Sequence, residues 1–328
     1  MQADSIEALE RAALAGDWAA AARLGLNYLV GRQVAADPVR GIALIEQAAR
    51  SGDALGAYLA AAVASTSFWR PCNWPAALDH LQQAAERGHA PAQSALRLLA
   101  AGPAGRPVDG LDGREMREAI DLAAWFTPPP TRLLRESPRI EVMEPFVPGA
   151  VCRWLIDTAG GRLARATIYD KATGGTTEDR RRTNSQCDLD IEVGGLLTFV
   201  IRGRIAAVTG RPDAAMEVPK VLHYRPGETF AEHFDYLDPD EPAYARELAL
   251  RGQRTATFLI YLNDDFSGGE THFPELGLAH AGAAGDALVF SNVAADGQPD
   301  AATRHAGLPP TEGEKWLFSQ WIREFPRN

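Results

Sequence analysis

Two rhythms of hydrophobic and polar positions divide the chain. Over residues 1 to about 100, Leu9, Ile45 and Leu81 each precede an Ala-Ala pair at i+3 and i+4, which is one face of a helix. The segments containing them, "LERAALAGD", "IEQAARSGD" and "LQQAAERGH", recur at a constant interval of 36 and place Gly16, Gly52 and Gly88 where each helix must turn. Stacked helix pairs are predicted, with small side chains that allow close approach. A Gly/Pro stretch, "AGPAGRPVDGLDG", follows. Asp112 with Glu115 three residues on then reads as a capping box for one helix, whose face carries Met116, Ile120 and Ala123 and which "TPPP" at 127 to 130 ends. From Arg139 onward the pattern shortens to β-forming runs, "KVLHY", "TATFLIYLN", "DALVF" and "KWLFSQWIREF", punctuated by Gly, Pro, Asn and Asp. Strands of this kind predict a sandwich or barrel. "FVPGAVCRWLIDTAG" and "GGLLTFVIRGRIAAVTG" read as amphipathic helices that cover one of its faces.

Composition narrows the class without naming a function. The 328 residues are 46% hydrophobic, enough for one large core or two ordinary ones. A formal charge of -10 argues against phosphate-backbone binding, so no nucleic-acid partner is expected. The start "MQADSIEALERAA" has neither a basic nor an apolar run, and no 18 consecutive apolar residues occur; no membrane association and a cytoplasmic location are expected. Cys72, Cys152 and Cys187 are widely spaced without a CxxC, which predicts reduced thiols. Only Lys171, Lys220 and Lys315 among the 33 basic residues are lysine, so each requires a reason.

The chemistry concentrates in "HYRPGETFAEHFDY", residues 223 to 236. Side chains at i and i+2 of a strand share a face, so His233 and Asp235 can converge on one ion, although a polar strand edge has the same pattern. Two histidines and one carboxylate with open positions suit non-haem Fe(II). His80 and His89, in the helical repeats, read as surface residues. Of His223, His272, His280 and His305, the last has the best context for a third ligand, on a loop after "DALVF" and just before a strand. Ten residues later Lys315 offers a compact cation for a dicarboxylate, and alternation places Lys315, Leu317, Ser319 and Trp321 on one face, with Trp321 either pocket wall or core.

Taken together, "HYRPGETFAEHFDY", "RTATFLIYLNDDFSGGETHFPELG", "GDALVF" and "RHAGLPPTEGEKWLFSQWI" resemble, in order, the catalytic domain of the prolyl 4-hydroxylase family of 2-oxoglutarate- and Fe(II)-dependent dioxygenases. "LGLNYLVGRQVAADPVRGIALIEQAARSGD", residues 24 to 53, resembles a Sel1-type repeat, a relative of the tetratricopeptide repeat. These resemblances imply a multidomain chain: an all-α helical-repeat domain (1–102), a linker with one helix (103–137), and an α+β dioxygenase domain with a double-stranded β-helix, or jelly-roll, core (138–328). They imply His233, Asp235 and His305 as iron ligands, and Lys315, Tyr224, Thr271 and Trp321 around 2-oxoglutarate. Ascorbate is a further cofactor candidate. Arg182 in "RRRTNSQ" matches an arginine near the family's substrate groove, although Asn184 replaces the usual serine and a solvated charge run has the same composition. The implied reaction is hydroxylation of a C–H bond, in a peptidyl proline or other protein residue, with succinate and CO2 as co-products. The helical repeats are expected to hold the protein or peptide. The alternatives are a free amino acid or small molecule as substrate, or an inactive binding module on a helical scaffold. A cupin-type site does not match, because "HFDYLDP" lacks the His-x-His such sites carry. An intact Asp235 favours hydroxylation over halogenation.

Overall fold

A computed structural model describes residues 5–170 and 175–326, which form two compact units. The first comprises residues up to Phe126 together with Ile191–Gly203, and the second Thr127–Asp190 with Arg204 onward. Lys171 lies outside the described residues.

The helical unit contains α1 (Ile6–Leu14), α2 (Trp18–Val30), α3 (Pro38–Arg50), α4 (Ala54–Ala64), α5 (Trp74–Glu86) and α6 (Ala90–Ala101). Its 36-residue period is visible at the turns. Gly16, Gly52 and Gly88 have φ of +92°, +94° and +84°, a conformation that a Cβ disfavours. One residue later, Asp17, Asp53 and His89 cap α2, α4 and α6 by accepting a backbone N–H with their side chains. His89 also stacks on Tyr58, with ring centroids 4.3 Å apart, so it is a half-buried cap; His80 is half-buried as well, and neither is the surface residue expected. Small residues bring backbones together: a Cβ on Gly41 would sit 2.6 Å from the Gly25 carbonyl oxygen and 2.7 Å from Leu29 N.

The segment expected to hold one helix holds two, α7 (Gly113–Ala119) and α8 (Leu122–Phe126). The capping box forms at Asp112 as read, but Ile120 turns extended and Asp121 starts a new cap, accepting from Ala124 N at 3.0 Å. A short polar side chain that captures a backbone N–H ends one helix and begins the next.

The second unit contains β1 (Arg132–Arg135), β2 (Ile140–Met143), α9 (Gly149–Gly160), β3 (Ala164–Arg165), β4 (Ile168–Asp170), β5 (Gly175–Thr177), β6 (Ser185–Asp188), β7 (Lys220–Tyr224), β8 (Phe230–His233), β9 (Arg254–Tyr261), β10 (Ser267–Gly268), β11 (Thr271–Phe273), β12 (Leu278–His280), β13 (Ala287–Ser291), β14 (His305–Gly307), β15 (Pro310–Glu312) and β16 (Lys315–Arg323). Eight strands form one antiparallel sheet in the order β1-β2-β13-β9-β16-β7-β6-β3; four form a second in the order β12-β11-β14-β8. Phe273 from the smaller sheet packs with Leu222, Leu259, Leu288, Phe290 and Leu317 from the larger, so the core lies between them. This is the expected two-sheet jelly roll.

Helix α10 (Gly195–Thr209) is not the amphipathic cover predicted for it. Leu196, Leu197, Val200, Ile201 and Ile205 are all fully buried, and Thr198, Arg202 and Arg204 are buried too, so its polar residues do not gather on a solvent face. No helix among the described residues is long and apolar enough to cross a membrane.

Candidate active site

His233 closes β8 and His305 opens β14, and the two are direct cross-strand partners. Their ring centroids are 4.3 Å apart. His305 therefore sits on a strand, not on the loop the sequence indicated. Asp235 differs from the expected strand alternation, because β8 ends two residues before it. It reaches the histidines from the loop, with its carboxylate held from the larger sheet: Thr257 Oγ1 in β9 donates to Asp235 Oδ2 at 2.6 Å.

The three side chains converge. His233 Nε2 lies 3.5 Å from Asp235 Oδ1, His305 Nε2 lies 3.6 Å from Asp235 Oδ2, and the three groups offer donor atoms within 4.8 Å of one another. His233 Nδ1 donates to the Ala231 carbonyl at 2.9 Å and His305 Nδ1 to that of Thr303 at 3.0 Å, which leaves both Nε2 lone pairs facing inward. Burial, then repulsion from His233, brings the His305 imidazole down to about 4, so it is neutral at pH 7. Burial alone would raise the Asp235 carboxyl, but His305, His233 and the Thr257 hydroxyl outweigh it and hold the group well below the usual carboxylate range. Two imidazoles that turn Nε2 inward and an ionised carboxylate form a donor set that fits Fe(II).

Lys315 pairs with Tyr224 across β16 and β7 and is completely buried. Its Nζ donates to the Gly269 carbonyl at 2.5 Å; its other two N–H groups have no partner among the described residues. Burial drives this amine down to about 7, with Glu270 acting in the opposite sense. Tyr224 is buried beside it, its ring 5.3 Å from Nζ, and burial pushes the phenol up to about 12. Thr271 is also buried and bonds the Tyr261 hydroxyl at 2.9 Å. Tyr261 in turn donates to the His280 carbonyl, so the Thr271 proton is the one shared between the two hydroxyls. Leu317, Ser319 and Trp321 line the cavity beside the triad, as alternation along β16 predicts.

Arg182 is buried, not a solvated charge. Its guanidinium donates to Thr167 O, Gln186 Oε1 and Asn184 Oδ1, so the asparagine that departs from the family pattern serves as one of its acceptors. It also lies 4.4 Å over Phe230, whose ring stacks on His233 at 3.5 Å. The neighbouring Arg180 and Arg181 are the solvated ones, Arg181 paired with Asp179. His223 falls outside the triad: its ring packs tilted against Trp316, centroids 4.1 Å apart, and bonds Glu314 at 2.9 Å, a structural role. Lys220 is an ion-pair partner of Asp188, at 2.5 Å.

The supporting residues were not singled out from sequence. Asn292 Nδ2 donates to Thr257 Oγ1 at 3.0 Å, behind the bond to Asp235. Arg254 stacks on Trp321 at 3.8 Å and forms a two-pronged pair with Glu217 at 2.7 and 3.0 Å. A polar Thr257 in alternation with the inward Leu259 and Tyr261 of β9 was the available signal.

The sequence model of the 2OG-Fe(II) oxygenase superfamily matches residues 219–323, which contain the triad and Lys315. Prolyl 4-hydroxylase 1 of Arabidopsis thaliana is 32% identical over 239 residues, covering 66% of this chain and 83% of that protein. The chain belongs to the prolyl 4-hydroxylase family. Another family member, prolyl 4-hydroxylase subunit alpha-1 of Rattus norvegicus, is 34% identical over 189 residues, 58% of this chain; the chain spans only 35% of that subunit. A solved viral collagen prolyl hydroxylase from Paramecium Bursaria Chlorella virus-1, in complex with 2OG, aligns with a TM-score of 0.43 at 24% identity, over 56% of this chain and 95% of that one.

Proposed function

We propose that this prolyl 4-hydroxylase family member hydroxylates a peptidyl proline or another protein residue, using Fe(II) held by His233, Asp235 and His305. The observation that carries the reading is the convergence of those three side chains, with both Nε2 atoms free, inside a chain of this family. Fe(II) bound there would supply the redox chemistry that couples decarboxylation of 2-oxoglutarate to C–H hydroxylation.

The chain's own residues do the rest. Lys315 supplies a buried cation for the distal carboxylate of 2-oxoglutarate, and two of its N–H groups are available to it. Tyr224 offers a hydroxyl on the same side; Thr271 does so once its proton turns from Tyr261 to the carboxylate. Trp321, braced by Arg254, walls the site, while Arg182 and Phe230 border the substrate approach. A groove of about 890 Å³ leads past Arg182, Phe230, His233 and Trp321 and carries the exposed Phe234 and Leu250. Its size is near the upper end of ~300–1,000 Å³ for small-molecule sites, and its mixed lining, with Phe234 and Leu250 beside Arg181, Glu232 and Arg246, suits an extended polypeptide segment. The same reading gives the repeats at 1–102 the task of holding that polypeptide, with 103–137 as the join and 138–328 as the dioxygenase domain.

Incubation with Fe(II), 2-oxoglutarate, oxygen and a proline-rich peptide library, with succinate measured and products mapped by mass spectrometry, tests the reading. Succinate release that rises with peptide and is lost in His233→Ala is the expected result. Equal release by wild type and His233→Ala would sink it. Omission of ascorbate in a parallel reaction determines whether that cofactor is needed.

A further inference from the structure

Asp235 is the triad member that no strand positions. His233 and His305 are fixed by a cross-strand pairing and by an Nδ1 bond to backbone, whereas Asp235 follows the end of β8 in a loop. Its carboxylate is instead held from the opposite sheet. Thr257, in β9, is 1% exposed and donates to Oδ2 at 2.6 Å; Asn292, just after β13, is 0% exposed and donates to Thr257 at 3.0 Å.

The direction of this chain follows from its proton inventory. A carboxylate is acceptor-only, so the single hydroxyl proton of Thr257 must point at Asp235. The hydroxyl oxygen can then only accept from Asn292, which fixes the amide with Nδ2 towards Thr257 and Oδ1 away from it. That Oδ1 has no hydrogen-bond partner and is buried, so the amide gives up one interaction to make the other. Each member is oriented by the one behind it, and the chain ends on a candidate metal ligand.

We propose that Thr257, oriented by Asn292, is a positioning residue that presents Asp235 to the metal and raises the affinity of the triad for a divalent cation. The inference rests on the reading of the triad as a metal site. Loss of an outer-shell hydrogen bond to a ligand weakens metal binding about 10- to 100-fold in general. A hydroxyl that only filled core space would have no such effect when replaced by an isosteric methyl.

The full-length protein, titrated anaerobically with Co(II) alone, separates the possibilities. Calorimetry reads affinity, and the visible d–d absorption of Co(II) reads ligand geometry. Thr257→Val is expected to weaken Co(II) about 10- to 100-fold and to alter the d–d bands, with Thr257→Ser restoring both. If Thr257→Val does not fold, Asn292→Ala decides in the same titration: a weakening of about tenfold or more, the range for outer-shell partners, supports the chain, and a smaller one overturns it. Wild-type affinity and bands in Thr257→Val, or in Asn292→Ala where that variant is the one read, overturn it. A wild-type protein that takes up no Co(II), or takes it up equally with Asp235→Ala, overturns the metal reading itself. Uptake that is lost in Asp235→Ala but unchanged in Thr257→Val overturns only the positioning role.

Discussion

The helical unit and the barrel bury different kinds of residue. Among the buried positions of α1 to α6 the polar one is Asn27, joined by Ser65 and Thr66 just after α4, in a field of Ala and Leu, and the polar work is done at the helix caps, such as exposed Asp17 and half-buried Asp53. The barrel buries Arg182, Asp235, His305, Lys315, Gln320 and Arg323. Removing charge from water costs several kcal/mol per ion before any partner repays it, so a fold tolerates this where the charge is used. The contrast implies that substitutions at buried polar positions of the barrel change binding first, and that those at buried positions of α1 to α6 change stability first.

The largest effect expected from this difference is at Lys315. Truncating one partner of a buried, hydrogen-bonded charge pair costs about 2–5 kcal/mol. Lys315→Ala is therefore expected to weaken 2-oxoglutarate by roughly 30-fold or more, with Co(II) affinity retained, both by calorimetry. Unchanged 2-oxoglutarate affinity would remove Lys315 from the pocket. In the helical unit, Gly41→Ala places a Cβ 2.6 Å from a carbonyl oxygen that cannot move without shifting a helix. Overpacking of this kind costs about 1–3 kcal/mol. The expected signature is a lowered midpoint in urea; a midpoint equal to wild type would mean that α2 and α3 separate without cost.

The two units also differ in how much of each could be read from sequence. Helix pairing was legible because a period of 36 registers the same Leu/Ile, Ala-Ala and Gly positions three times. The break at Ile120 was not, because Asp121 could equally have been an exposed helical residue, and only its bond to Ala124 N reveals a cap. In the barrel, His233, Asp235, His305 and Lys315 were legible as motifs, since their chemistry constrains residue type. What supports them was not: Thr257 acts on Asp235 from 22 positions away and Asn292 on Thr257 from 35, and nothing in residue type marks such a pairing before the strands are in register. Arg182 was ambiguous within "RRRTNSQ" for the same reason, since composition cannot say which of three arginines turns inward.

A pH titration sharpens the comparison inside the barrel. Burial lowers the Lys315 amine from 10.5 to about 7, and a carboxylate partner needs it protonated. Above that value the amine is neutral in the free protein, and 2-oxoglutarate binding must take up a proton. Its affinity should then fall about tenfold per pH unit, or 1.4 kcal/mol, between pH 7 and 9. Stability of the free protein runs the other way: the unfolded chain holds the lysine proton up to about 10.5, the folded one only to about 7, so the Lys315 contribution rises with pH across that window. Comparison with Lys315→Met isolates both effects, and a flat difference in each would show that the amine is not held in a desolvated state.

The smallest expected effect tests the cap that sequence reading missed. Asp121 accepts from Ala124 N at 3.0 Å, and the helix it starts places Trp125 in the core, with the indole N–H donating to the Leu99 carbonyl at 3.1 Å. Loss of an N-cap costs about 1 kcal/mol. Asp121→Ala should therefore lower unfolding free energy by about that amount, with Asp121→Asn, which keeps a side-chain acceptor, within a few tenths of a kcal/mol of wild type. If instead Asp121→Ala is neutral or stabilising, the Asp121 cap is not what separates the two helices at Ile120. The break would then be due to the packing of Trp125, with no contribution from the cap.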